Sequence, residues 1–209
     1  MANLPEWRLK QQIVEVGRKM YDRGLVAASD GNISIRARGQ RLWITPTGIC
    51  LGEIQTRHLV CVDRAGHTIG PGTPSSEVPL HAAVYSHRPD VVAVVHAHPP
   101  IASAFTYAGR ADLLAKRVLP EVVLTFGSIP TAAYATPASQ EGPGVIQELI
   151  RDHDALMLDR HGSLTVGSDV LDAYYKLEKL EHAATIILTA ERLGGARTLS
   201  DDELGRLGQ

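Results

Sequence analysis

Apolar residues at Ile13, Val14, Val16 and Met20 recur among charged neighbours with helical spacing, which predicts a first helix over residues 5–23 that stops before Gly24. The pattern then changes period. A polar Asp-Gly-Asn turn leads into short strands at 33–36 and 41–44 across Gly39, which reads as a hairpin. Thr45-Pro46-Thr47-Gly48 interrupts it, and two more short strands are expected at 59–63 and 67–69. Residues 70–76 turn rich in Gly, Pro, Thr and Ser before Ser75-Ser76-Glu77 opens a helix to about His87. The β-branched run 91–95 suits a central strand buried on both faces, and it feeds directly into His96-Ala97-His98.

Downstream, one or two short helices are expected over 101–116, residues 118–126 fit helix or strand, and 129–133 read as strand. Residues 140–151 look helical, 155–158 and 164–166 look like paired strands with His161-Gly162 in their turn, and a long helix is expected over 169–192. No repeat, low-complexity tract or linker breaks this mixture. The expectation is a single α/β domain over residues 1–209 with a mainly antiparallel or mixed sheet.

Composition narrows the function classes. With 44% hydrophobic and 21% charged residues and a net charge of -2, the chain matches soluble globular proteins rather than disordered ones, and no apolar run approaches membrane-span length. Lys and Arg are balanced by Asp and Glu, so no basic field invites nucleic acid, and a small molecule is the expected partner. Cys50 and Cys61 lack ligand or disulfide spacing and read as buried thiols; with no secretory signal visible at the N-terminus, a cytoplasmic location is expected. Nine histidines against two phenylalanines and two tryptophans make imidazole the side chain to follow.

His96 and His98 lie two apart at a strand end, so both project from one face with Cα atoms roughly 6–7 Å apart, a separation that lets both rings reach one ion. Two surface histidines at a strand end have the same spacing. His161, before Gly162 in a tight turn, is a third candidate ligand or a simple turn residue. Glu77 adds a carboxylate, and Ser75-Ser76 at a helix start reads either as a cap or as an anion nest. His81, one turn from Glu77, is expected to pair with it, and His182 with Glu178.

In this order the segments Ser29-Asp30-Gly31-Asn32-Ile33-Ser34, Ile44-Thr45-Pro46-Thr47-Gly48, Ser75-Ser76-Glu77, His96-Ala97-His98-Pro99 and His161-Gly162 resemble the class II aldolase/adducin family, in particular its fuculose-phosphate aldolase-like enzymes, over nearly the whole chain. The resemblance implies an α/β/α fold around a mainly antiparallel sheet, and a cyclic homotetramer with sites at subunit borders. It implies Zn2+ on His96, His98 and His161, with Glu77 ligating the substrate-free site and moving the proton once substrate displaces it. It further implies a phosphate pocket at Gly31, Asn32, Thr47, Gly48, Ser75 and Ser76. The activity implied is cleavage of a small ketose 1-phosphate, of fuculose or 5-deoxypentulose type, to dihydroxyacetone phosphate and an aldehyde through an enediolate that zinc stabilises.

The chain departs from the familiar aldolases after Pro120, where Glu121-Val122-Val123-Leu124 holds no tyrosine; Glu121 is the candidate to replace that acid/base. Ribulose-phosphate 4-epimerase, sugar-phosphate dehydratase and phospho-oxo-acid decarboxylase chemistry would use the same metal site. A non-catalytic, adducin-like assembly module is the alternative from another class, one that has lost the ligands this chain keeps.

Overall fold

Alternation and β-branched runs are realised as one eight-stranded sheet. In the computed structural model, which describes residues 4–208, the strands are β1 (Asn32–Arg36), β2 (Leu42–Ile44), β3 (Val60–Val62), β4 (Thr68–Ile69), β5 (Ala93–Ala97), β6 (Thr131–Ala132), β7 (Ala155–Leu158) and β8 (Gly162–Gly167). Their order is β4-β3-β2-β1-β5-β8-β7-β6. Neighbours are antiparallel except β6 with β7, which run parallel. The expected hairpin is present, with Ser34 opposite Ile44. The fold is therefore α/β with a mainly antiparallel sheet, as the pattern and the resemblance both implied.

The helices are α1 (Glu6–Asp22), α2 (Val78–His87), α3 (Pro100–Tyr107), α4 (Asp112–Ala115), α5 (Pro120–Phe126), α6 (Glu141–Ile146), α7 (Leu149–Asp152), α8 (Val170–Arg192) and α9 (Asp201–Leu207). Strand parity divides them between the faces. Ile33, Ile35, Ala93 and Val95 meet Ile13, Val16 and Met20 of α1 and Ala173 and Leu177 of α8. The alternate residues Ile44, Val94, Leu164 and Val166 meet Val84 and Tyr85 of α2 together with Ile146 and Ile150. A third cluster packs α3, α4 and α5 through Phe105, Leu114 and Phe126 onto Ala155 and Met157 of β7 and Leu180 and Ala183 of α8. None of the helices among the described residues is long and apolar enough to cross a membrane.

β5 is buried at every position, as its β-branched run required, but it is set two residues later than 91–95, so His96 lies inside the strand. Of the stretch 118–126, residues 120–126 are helical: Pro120 stands at the start, and Val122 and Phe126, one turn apart, are the buried contacts. Residues 129–133 give only the two-residue β6, and 140–151 divides into α6 and α7. The α9 helix was not anticipated, although Ser200 and Glu203 form a capping box at its start.

One ionic network fastens the α2 end to α8. Arg88, which caps α2, reaches Asp90 and Asp154 at 2.8 Å each. Lys176 of α8 reaches Asp154 at 2.8 Å and the Val166 carbonyl at 3.0 Å. Burial opposes ionisation of Asp154, but the Lys176 and Arg88 contacts outweigh it and hold its carboxyl below the usual carboxylate range. A folded-state value below the unfolded one means that the unfolded chain binds more protons in acid, so this stabilisation is complete above about pH 4 and lost as pH falls below it. Asp154→Asn is expected to lower the urea midpoint at pH 7 and to flatten its fall below pH 4; parallel pH profiles for the two proteins would remove Asp154 from that role.

Candidate metal centre

The centre lies where β5 ends, between β1 and β8. The register sets Asn32 of β1 and Leu164 of β8 opposite His96, and directly opposed residues share a face. Buried His96 points its Nδ1 at the Ser163 carbonyl, 2.9 Å away. A carbonyl only accepts, so Nδ1 carries the proton and Nε2 is left with a lone pair. That Nε2 stands 3.1 Å from Nε2 of His98. His161 enters from the turn between β7 and β8, and the three ring centroids are 4.7–5.1 Å apart. One nitrogen from each ring lies within 4.8 Å of the others.

Such convergence needs backbones without side chains in the way. A Cβ on Gly162 would run into the Ala97 carbonyl and stand 2.6 Å from the His98 ring. Gly31 has φ +75°, and a Cβ there would lie 2.6 Å from Val26 and 2.9 Å from the His96 carbonyl. The glycines flanking β5 are thus packing requirements of the centre.

Burial sets the charge state. It pushes His96 well below the ordinary imidazole value, with His161 and His98 adding to the effect. Burial lowers His98 too, with the Asp30 carboxylate, 3.6 Å from its Nδ1, pulling the other way. His161 is lowered to about 4 by burial and by His98. Neutral imidazoles with lone pairs facing a shared space are the donor set a divalent transition ion takes, so these residues fit such an ion. Asp30 and the Ser163 carbonyl orient two of the rings. Asp30 carried a sequence signal only as the residue before Gly31, and a backbone carbonyl carries none.

Glu77 stands at the N-cap position of α2, without a capping side-chain bond, and shares with His161 a small crevice whose walls include Ala138 and Asp159. Its Oε1 accepts from the Ala138 N–H at 2.6 Å. Burial raises its carboxyl, and that hydrogen bond opposes the rise. The polar segments lie alongside: the Ser75 N–H donates to the Thr45 carbonyl at 3.0 Å, the Thr47 N–H to the Thr73 carbonyl at 3.3 Å, and Gly48 turns the chain at φ +74°. Ser75 is buried and Ser76 exposed. Glu121 sits exposed in the first turn of α5 and is not part of the crevice wall.

Two expected helix-face pairs are corrected. The His81 ring turns away from the Glu77 carboxylate to bond Asn32 and Ser34, because α2 packs this face onto the sheet. Glu178 bonds Tyr174 and Arg23 instead of His182.

Known proteins resemble this chain over most of its length. A 3-oxo-tetronate 4-phosphate decarboxylase from Haemophilus influenzae is 32% identical over 187 residues, covering 87% of this chain and 88% of that protein. An L-fuculose phosphate aldolase from Methanococcus maripaludis is 34% identical over 175 residues, covering 84% and 93%. The crystal structure of YgbL from Klebsiella pneumoniae superposes with a TM-score of 0.91 at 32% identity, covering 98% of this chain and 99% of that one. The sequence profile of the family described as Class II Aldolase and Adducin N-terminal domain matches residues 11–188, and the chain belongs to that family.

Proposed function

We propose that this protein is a metal-dependent carbon–carbon lyase that releases dihydroxyacetone phosphate from a phosphorylated sugar derivative, with Zn2+ as its ion and an aldol cleavage as its reaction. The observation that carries this reading is the set of three neutral imidazoles beside a carboxylate that burial has made a better proton carrier. The relatives named above support it, since aldolases and decarboxylases of sugar phosphates both stand among them. A cyclic tetramer is part of the proposal.

In this reading His96, His98 and His161 hold the ion, and Glu77 joins them in the substrate-free enzyme. Bound there, the ion acts as a Lewis acid on substrate oxygens. Gly31, Asn32, Thr47, Gly48, Ser75 and Ser76 bind the phosphate through neutral N–H and hydroxyl donors, which hold a dianion without competing for the cation. Glu77 delivers a proton to the carbon left carrying charge when the carbon–carbon bond breaks. Glu121, exposed on α5, takes the place of the absent tyrosine on the aldehyde side by reaching the site of a neighbouring subunit in that tetramer.

Decarboxylation is the second reading, favoured by the 32%-identical relative of that name and by the missing tyrosine after Pro120. Loss of CO2 from 3-oxo-tetronate 4-phosphate and retro-aldol cleavage of a ketose 1-phosphate leave the same three-carbon enediolate. In both, the last step is protonation to dihydroxyacetone phosphate. The residues named above serve either reaction, and the released fragment tells them apart.

Proton NMR of dihydroxyacetone phosphate in D2O with zinc-loaded protein is expected to show stereospecific exchange of one hydroxymethyl proton. The absence of exchange would reject the enediolate reading; with exchange present, CO2 or aldehyde release separates the two reactions. Glu77→Gln is expected to keep the ion and slow exchange by about 10²–10⁴-fold, and near-normal exchange would remove Glu77 as proton carrier. His96→Ala is expected to stay folded but lose zinc on dialysis against a mild chelator; full zinc retention would take His96 out of the ligand set. Metal-free protein carries the cost of three imidazoles whose folded-state values lie below the unfolded one, near 6.5. The unfolded chain then binds more protons, so stability is complete above that pH and falls towards about pH 4, the His161 value. Thermal melts of metal-free wild type should show this loss, and a pH-independent melting point from 7 to 5 would contradict it.

A further inference from the structure

Beneath the polar end of β1 runs a buried line of four side chains, of which the proposed chemistry uses only Asn32. Tyr85, Ser34 and His81 are each 0% exposed and Asn32 is 4% exposed. The Tyr85 hydroxyl lies 2.9 Å from Ser34 Oγ, Ser34 Oγ lies 2.6 Å from His81 Nδ1, and His81 Nε2 contacts Asn32 Oδ1. Tyr85 and His81 are one turn apart on α2, and Asn32 and Ser34 are alternate residues on the β1 face that α2 covers. Burial holds His81 neutral, at about 3, so its ring has one N–H.

The direction of the line follows from its far end. Tyr85 has one proton and two acceptors in reach: Ser34 Oγ at 2.9 Å, and the Val92 carbonyl at 3.4 Å, which already accepts the Arg36 N–H at 2.7 Å. The shorter of the two bonds takes the proton. Ser34, accepting from Tyr85, donates to His81 Nδ1. His81 then carries its proton on Nε2 and donates to Asn32 Oδ1. Of the Asn32 amide, this leaves the NH2 group, which meets no partner among the described residues.

We propose that His81 is a positioning residue: it fixes the Asn32 amide so that the NH2 group, and not the oxygen, is presented beside His96 as a donor to the substrate phosphate. The reversed line would present the amide oxygen, a partial negative charge, to a dianion. Asn32 is a suitable carrier because the sheet register sets it directly opposite His96. The inference rests on the phosphate pocket proposed above and adds the residue that orients it.

The test uses zinc-loaded protein and has two parts. Nitrogen-15 NMR of the histidine-labelled wild type, with the His81 signals assigned by their absence in His81→Gln, is expected to show a neutral ring protonated on Nε2; protonation on Nδ1 overturns the proposal whatever the variants do. Calorimetric titration with sn-glycerol 3-phosphate, with glycerol as the unphosphorylated control, reads the donor itself. Asn32→Asp and His81→Leu are each expected to weaken binding about tenfold or more, with zinc content unchanged, and His81→Gln, which keeps an N–H near the Nε2 position, to restore most of it. Loss in Asn32→Asp without loss in His81→Leu overturns the positioning role and leaves the phosphate pocket standing. Unchanged affinity in both overturns the pocket assignment at Asn32 and the inference with it. Should His81→Leu fail to fold, the wild-type tautomer and Asn32→Asp decide the matter.

Discussion

Three imidazole rings packed within about 5 Å of one another at the end of a buried strand are the constraint on which the rest of the structure depends. Their backbones have to approach more closely than side chains ordinarily allow, and Gly31 on one flank and Gly162 on the other make the approach sterically open. The β5 strand that carries His96 must also sit in the middle of the sheet, because only there can both neighbours contribute. Its Ala93 and Ala97 accept that crowded position next to α8, while Val94 fills the opposite face. The long α8 helix, bound to α2 through Asp154, closes the apolar side and keeps the strand from shifting.

Such crowding carries an electrostatic consequence. Rings removed from water resist protonation, so the fold spends stability in acid to keep lone pairs available for a cation. The structure offsets part of that cost locally, through the Ser163 carbonyl on His96 and the Asp30 carboxylate near His98. The same burial acts in reverse on Glu77, where it favours the protonated carboxyl. One physical effect thus makes the imidazoles shed protons more readily and, across a shared crevice, makes the Glu77 carboxyl hold its proton more tightly.

Much of the fold was legible because its signals are local. The α1 and α8 periodicities, the 33–44 hairpin and the run into His96 each lie within one window of sequence, and each appears within two residues of its expected place. The ambiguous stretch 118–126 was harder because Val122 and Val123 suit a strand, whereas the burial of Val122 and Phe126 against a third cluster decides for a helix. His81 was misread for a related reason. Spacing along α2 places it near Glu77, but which way its ring turns depends on β1, about fifty residues away in sequence, lying beneath the helix.

By itself the sequence determined the strand and helix periods, the alternation that sends His96 and His98 to one side, and the order of motifs that marks the family. Those properties follow from the backbone's fixed repeats and from residue identity. The tertiary structure alone decided that His161 joins the other two rings, that Asn32 stands across from His96, that Glu77 shares a crevice with His161, and that His81 serves the sheet. These juxtapositions link residues 47 to 84 positions apart. Only the packing of a closed core, which buries their rings and backbones together, can bring such residues into contact.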